Sequence, residues 1–294
     1  MENNLTIIIP VYNEEESLKI FLPHVIKFCK TKSFQLVVIN DGSTDNSKNV
    51  ISEIFKEYSF VKLVNHKVNR GYGGAIKTGI AASQTKYLIT IDADGQHMLE
   101  DVEKLYKLIL EKDADMIVGS RKGQKEASLF RKLGKNSIRL VAKRLMPLKI
   151  HDINSGMKIY STELAKKYTS HCPDSMPYSD IMLLTFVYQK HLVLEEPISI
   201  KPRVAGKSTI SVSTAFETIK EIINIVVMFN PLRIFFPIAL FCISFGVLWG
   251  LPFLLLNRGV SNGALISILS GIIFFTLGLL AEQLSMIRKK DFND

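Results

Sequence analysis

Up to Ser120 the chain alternates short apolar runs with amphipathic stretches. LTIIIP (5–10), FQLVVIN (34–40), VKLVN (61–65), YLITIDAD (87–94) and DMIVGS (115–120) are rich in Ile and Val and too short for helices. That is the pattern of strands covered on both faces. Between most of them lie EEESLKIFLPHVIKFCK (14–30), DNSKNVISEIFKEY (45–58), GAIKTGIAAS (74–83) and LEDVEKLYKLILEK (99–112), which read as helices. Such alternation predicts an α/β fold with a mainly parallel central sheet. In these sheets ligands bind beyond the carboxyl ends of the strands, so the residues directly after each apolar run are the ones to inspect. After about residue 150 the spacing becomes less regular.

The C-terminal third follows a different pattern. Ile234–Leu256 and Gly259–Ala281 are uncharged runs separated by Asn257 and Arg258. A bilayer core of about 30 Å takes about 20 apolar residues in a helix, so each run is long enough to span it. A hairpin buried in a soluble core is the competing reading. Arg233 precedes the first run and Arg288, Lys289 and Lys290 follow the second. The positive-inside rule then places both outer ends, and with them the polar body, in the cytoplasm. Just upstream, Phe216, Ile219, Ile222, Ile223 and Val226 recur at helical spacing opposite Glu217, Lys220 and Glu221. This stripe fits either a helix lying in the membrane surface or an ordinary core helix. The expected organisation is a catalytic body at 1–210, an interfacial helix at 211–232 and a two-helix anchor at 233–294. Gly246, Gly250, Gly271 and Gly278 offer small faces for helix contacts between protomers of a homo-oligomer.

Charge sharpens this division. The 294 residues carry 37 Lys+Arg against 28 Asp+Glu, a net charge of +9. Residues 121–149 alone hold ten Lys/Arg and one acid, a local excess equal to the whole net charge. Such a stripe suits nucleic acid, anionic lipid or phosphorylated substrate; beside a membrane anchor, lipid or lipid phosphate is favoured over nucleic acid. Three cysteines with no CxxC spacing argue against a disulfide framework or a cysteine-built zinc site. The opening MENNLTIIIPVYNEEE lacks the form of a signal peptide.

The polar residues at the strand ends carry the candidate chemistry. The first strand runs into Pro10-Val11-Tyr12-Asn13-Glu14, the second into Asp41-Gly42-Ser43-Thr44-Asp45. The third connection, Asn69-Arg70-Gly71-Tyr72-Gly73-Gly74, is glycine-rich, but it matches neither a Walker A loop nor GxGxxG, because Ile76 stands where either pattern needs glycine. The fourth strand ends in Asp92-Ala93-Asp94-Gly95-Gln96-His97. Two carboxylates one residue apart at a strand end can reach one hard cation, Mg²⁺ or Mn²⁺, with Gln96 adding a carbonyl oxygen. A capping aspartate followed by a turn aspartate is the plainer alternative.

Taken in order, these segments resemble glycosyltransferase family 2, enzymes of the GT-A fold that use nucleotide sugars, and within it the polyprenyl-phosphate glycosyltransferases. PVYNE, NDGS, NRGYGGA, DADGQH and GSR are followed by Asp152-Ile153-Asn154-Ser155-Gly156-Met157-Lys158 and Lys201-Pro202-Arg203-Val204-Ala205-Gly206-Lys207-Ser208. The likeness covers about residues 5–210, and paired C-terminal spans also occur in that group. It implies that Pro10, Tyr12, Glu14 and Asp41 line a nucleoside pocket, and that Asp92, Asp94 and Gln96 hold a divalent ion against the diphosphate. Arg121, on the donor side, and Arg131 and Arg203 would face phosphate. Arg131, Ser155, Arg203 and Lys207 fall on the acceptor side, and Asp152 would orient the acceptor or act as base. Two positions depart from the family pattern. Asn40 stands before Asp41 where a second acid is common, and Thr209 stands where a lysine is common.

The implied reaction is inverting transfer from a UDP- or GDP-linked sugar to polyprenyl phosphate at the cytoplasmic face. A phosphate monoester already carries the charge of a nucleophile, so little general-base help is needed. A lipid or polysaccharide hydroxyl acceptor, or an inactive lipid-binding scaffold, are the alternatives. A processive synthase is disfavoured, because the single Trp, Trp249, lies inside an apolar run rather than in a QxxRW motif.

Overall fold

The computed structural model describes residues 4–55, 58–121, 150–201, 223, 226–227 and 230–291. Its contacts divide into two units, one holding the described residues 4–201 and the other those from 223 to 291. The basic stripe after Arg121, the Arg203–Lys207 segment and most of the 211–229 stripe lie outside the described residues.

The first unit is built on β1 (Leu5–Val11), β2 (Gln35–Asn40), β3 (Val61–Asn65), β4 (Tyr87–Thr90), β5 (Met116–Ser120), β6 (Lys158–Ser161) and β7 (Val193–Pro197). They form one sheet in the order β3-β2-β1-β4-β6-β5-β7. Every neighbouring pair is parallel except those made by β6, which runs antiparallel to both β4 and β5 with Ile159 opposite Ile89 and Ile117. The mainly parallel sheet expected from the strand–helix alternation is present. The irregular spacing after residue 150 corresponds to the reversed strand and its short flanking elements.

The unbroken apolar character of β1 has a simple cause. Leu5, Ile7, Ile9 and Val11 belong to the same core cluster as Leu18, Leu22 and Val25 of α1 (Glu15–Lys32), Val50 and Ile51 of α2 (Ser47–Phe55), and Val102, Leu105 and Ile109 of α4 (Leu99–Lys112). Side chains alternate across a strand, so Ile8 points the other way. It meets Gly79 of α3 (Gly71–Ala82), where an added Cβ would come within 2.5 Å of Ile8 Cγ2. Both faces are dry, and each such side chain contributes about 1.5–3 kcal/mol by leaving water. After β6 come α5 (Thr162–Tyr168) and α6 (Tyr178–Tyr188). Helix α6 has no polar face, and Tyr178, Ile181, Met182, Leu183, Leu184 and Phe186 are all buried.

The second unit is a hairpin of α7 (Leu232–Leu255) and α8 (Asn262–Asp291). Both are long and apolar enough to cross a bilayer, and only 17% of either apolar window is buried. Exposure on that scale does not fit the core helix of a soluble protein. The glycines expected to serve contacts between protomers are used inside the hairpin. A Cβ on Gly246 would sit 2.7 Å from Ile268 Cγ1, on Gly250 2.8 Å from Ala264 Cβ, on Gly271 2.5 Å from Ile243 Cγ1, and on Gly278 2.8 Å from Phe235 Cβ. Ser267 Oγ donates to the Cys242 carbonyl across the same seam, at 2.8 Å. Small residues let the backbones approach, and here the helix they admit is the other arm of the hairpin.

Candidate functional site

At the carboxyl ends of β1 and β2 two turns are fastened together. Asn13 adopts the left-handed conformation (φ 54°). Its backbone N–H donates to Ser43 Oγ, and its Oδ1 accepts from the Thr44 amide at 2.8 Å. The Glu14 amide donates to Ser47 Oγ, the Glu15 amide to Asp45 Oδ2, and Ser17 Oγ donates to the Glu14 carboxylate. Asp45 in turn accepts from the Ser47 amide two residues on, a turn that leads into α2. Pro10 and Tyr12 are carried on this frame, with Tyr12 exposed.

Asp41 is buried beside them, its amide bonded to the Val11 carbonyl. Asp41 Oδ1 accepts from the Arg70 amide at 2.9 Å and lies 2.6 Å from His66 Nδ1, while His66 Nε2 lies 2.9 Å from Thr78 Oγ1. The approach of the 66–70 loop depends on Gly42, which has φ +67° and whose Cβ would fall 2.5 Å from the Val68 carbonyl carbon. The predicted nucleoside-side residues Pro10, Tyr12, Glu14 and Asp41 are thus gathered at adjoining strand ends. His66 was not singled out in the sequence; its signal was a polar residue directly after the third apolar run.

The Asp92–His97 turn leaves β4 through Gly95 (φ 73°). The Asp92 amide donates to His97 Nδ1 at 3.1 Å, which leaves the His97 proton on Nε2. Asp94 Oδ1 accepts from the Gln96 amide at 3.1 Å. The two aspartates differ in access, the Asp92 side chain being 38% exposed and Asp94 only 4%. Tyr72 from the glycine-rich connection reaches Asp92 Oδ1 at 3.4 Å, and burial, helped by the Asp92 charge, holds its hydroxyl pKa well above the ordinary value. The Gln96 carbonyl accepts from the Lys201 amide, and His97 bridges to Ile200. The chain leading to Arg203 therefore departs from beside the acidic turn, although Arg203 and Lys207, like Arg131, lie outside the described residues.

The loop between Asp152 and Lys158 closes over this turn. Gly156 is required there, because a Cβ would fall 2.6 Å from Asp92 Oδ2. Thr90 Oγ1 donates to the Gly156 carbonyl at 2.7 Å. Lys158, fully buried at the start of β6, donates to the carbonyls of Ile153 and Ser155 and to Ser179 Oγ. Burial pulls its pKa down to about 8, against the charges of Asp180, Asp152 and Asp92. Ser155 is itself buried, with its Oγ accepting from the Met157 amide, so it shapes the turn from inside. A lysine set in the otherwise apolar run of β6 was the available signal for this strut.

Arg121, directly after β5, meets Asp152 through two parallel side-chain bonds: Nε to Oδ2 and Nη2 to Oδ1, both 2.7 Å. The Arg121 amide also donates to Asp152 Oδ2. Burial raises the Asp152 pKa, but the bonds and charge of Arg121 outweigh it and hold the carboxyl below its ordinary value. Bonding to Asp152 correspondingly raises that of Arg121.

Comparisons with known proteins agree with this architecture. The family model described as Glycosyl transferase family 2 matches residues 6–169, more than half of the chain. The chain belongs to that family. A second model, the GtrB C-terminal hairpin, matches residues 230–287. A dolichyl-phosphate beta-glucosyltransferase of Dictyostelium discoideum is 26% identical over 75% of this chain and 73% of its own. An undecaprenyl-phosphate 4-deoxy-4-formamido-L-arabinose transferase of Photorhabdus laumondii is 25% identical over 96% of this chain and 89% of its own. In fold, the chain is similar to the glucosyl-3-phosphoglycerate synthase of Mycobacterium tuberculosis, solved with Mn²⁺, uridine diphosphate and phosphoglyceric acid. That match has a TM-score of 0.57 and 15% identity, and covers 77% of this chain and 78% of the other. This family 2 glycosyltransferase therefore has a GT-A-like fold and an apolar C-terminal hairpin able to span a membrane.

The acidic turn fits a hard divalent cation by its donor chemistry. Asp92 and Asp94 offer carboxylate oxygens one residue apart, and Asp92 remains accessible. Among the described residues no three His, Cys, Asp or Glu side chains converge. A cation held here would complete its shell with phosphate and water oxygens, as Mg²⁺ commonly does.

Proposed function

We propose that this family 2 glycosyltransferase moves a sugar from a UDP- or GDP-linked donor to polyprenyl phosphate, undecaprenyl or dolichyl, with inversion, at the cytoplasmic face of a membrane. In this reading residues 1–210 form the catalytic body, 211–232 an interfacial helix and 233–294 the anchor. The observation that carries it is the meeting of the Asp92 carboxylate, the Gly156 loop and the Arg121–Asp152 pair at the strand ends, in a chain that also has a membrane hairpin. The relatives named for dolichyl- and undecaprenyl-phosphate transfer support the same acceptor class.

Pro10, Tyr12, Glu14 and Asp41 would receive the nucleoside. Asp92, Asp94 and the Gln96 side-chain carbonyl would hold Mg²⁺ or Mn²⁺, whose charge would offset the negative charge that develops on the departing diphosphate. Arg121, with Arg131, Arg203 and Lys207, supplies cations that let an anionic acceptor approach an anionic donor. A lipid phosphate oxygen then bonds to the anomeric carbon as the bond to the diphosphate oxygen breaks, and no proton need move. Asp152 has its carboxylate committed to Arg121, which disfavours a hydroxyl acceptor needing a base.

The test supplies membranes containing the protein with labelled UDP- or GDP-sugars and polyprenyl phosphate. The expected result is chloroform-extractable label that is lost on chelation of divalent ions. Absence of lipid-linked label with every donor overturns the reading.

A further inference from the structure

Arg121 is seated by a relay that reaches back to β7. The Glu195 carboxylate accepts from two consecutive backbone amides, His151 to Oε2 and Asp152 to Oε1, each at 2.9 Å, and from His151 Nδ1 at 2.9 Å. Glu195 stands opposite Val118 of β5, the strand that ends one residue before Arg121. One carboxylate from β7 thus fixes the backbone that carries Asp152, and Asp152 in turn takes Arg121 Nε, Nη2 and backbone N–H. Nη2 also donates to the Asn154 carbonyl at 3.2 Å. Both the Asp152 and Glu195 side chains are largely buried, at 14% and 13% exposure.

Resting on the transferase reading, we propose that Asp152 and Glu195 are positioning residues that present Arg121 Nη1 to a substrate phosphate, and that Asp152 is not the proton acceptor of the reaction. Three hydrogen bonds occupy Asp152 and two of them form a fork, an arrangement that orients a guanidinium. Among the described residues they use Nε and Nη2, and no described group takes the two N–H groups of Nη1, which suit phosphate oxygens. The lowered pKa of Asp152 agrees with this, since a general base works best near the operating pH. The phosphate is either the donor diphosphate or the acceptor monophosphate, and Arg121 serves whichever one its variant fails to bind.

The test is a pair of double-mutant cycles on the full chain in detergent with Mn²⁺. Uridine or guanosine diphosphate binding is measured by calorimetry, and farnesyl phosphate is the acceptor probe in turnover. Arg121→Ala should weaken one probe about 10- to 100-fold, and Glu195→Gln and Asp152→Asn should each weaken the same probe about 5- to 30-fold. In the Arg121→Ala background neither should cause a further loss, and Glu195→Asp should recover part of the loss. Normal binding of both probes by Arg121→Ala overturns the proposal. So do additive losses in the double variants, or an Asp152→Asn enzyme that binds both probes normally but has lost kcat. If the native enzyme binds neither nucleotide, the transferase reading fails instead.

Discussion

The two halves of the sheet assemble their carboxylates in different ways. On the β3-β2-β1-β4 side, Asp41 is held by His66 and the Arg70 amide, which follow β3, the next strand in sequence. Successive strand–helix units build this half, so each candidate residue is held from the next unit along the chain, Asp41 by groups 25 and 29 residues on. On the β6-β5-β7 side, Asp152 is held by Arg121 and Glu195, distant by 31 and 43 residues. Gly156, just before the reversed strand, meanwhile rests on Asp92 from 64 residues away. The first half is joined between successive parallel units, and the second draws together segments from β4 to β7 around a reversed strand. The account predicts that damage to the second half costs more, because several chain segments converge there on the reacting groups.

Gly156→Val should have the largest effect of the substitutions that separate the halves. Its side chain would enter the space of the Asp92 carboxylate, and overpacking of this kind costs about 1–3 kcal/mol. Transfer should fall about 100-fold or more in a labelled-lipid assay, with a lower Tm by thermal unfolding. Lys158→Met should come next, losing the bonds to the Ile153 and Ser155 carbonyls and to Ser179 Oγ, with turnover reduced about 10-fold and the Tm lowered. Near-wild-type turnover in Lys158→Met would show that the loop needs no strut.

A pH experiment sharpens the same contrast. For Asp152 and Glu195, burial raises the pKa but hydrogen bonds outweigh it, from Arg121 to Asp152 and from Ser120 and the His151 and Asp152 amides to Glu195. Groups whose pKa is depressed by folding contribute stability above their unfolded values, which are 3.8 and 4.5 here, and lose it as pH falls through the folded ones. Chemical denaturation between pH 6 and about 3 should therefore show a steeper acid loss for the native protein than for Glu195→Gln. Equal slopes would contradict the relay. The smallest effect is expected in the first half: His66→Gln should weaken nucleoside-diphosphate binding about 3- to 10-fold and leave the KM for farnesyl phosphate unchanged.

This division also explains what was legible in the sequence. Strands β1 to β5 and the places of the turns at Asn13, Asp41 and Asp92 follow from apolar runs and the polar residues that end them, because those signals lie within each segment, although Asn13 is fastened to Ser43 and Thr44 and Asp41 to His66. Glu195 looked like one acid of an ordinary Glu-Glu-Pro step, and Lys158 like the end of a motif. Their roles exist only once β6 reverses between β4 and β5 and brings β7 beside β5. The hairpin glycines show the same limit from the other direction: composition marked them as contact residues, but only the packing of the two arms identified the surface they meet. Ser155 was expected at the acceptor phosphate; in the fold it is buried and its hydroxyl accepts from the Met157 amide of its own turn.

The proposed role of the Asp92–Asp94 turn is to support departure of the diphosphate. It is tested most directly by measuring sugar transfer to polyprenyl phosphate with the Asp92→Asn/Asp94→Asn double variant, its fold checked by circular dichroism. The account predicts a loss of about 10³-fold or more in a folded protein. Product formation at the native rate would contradict it.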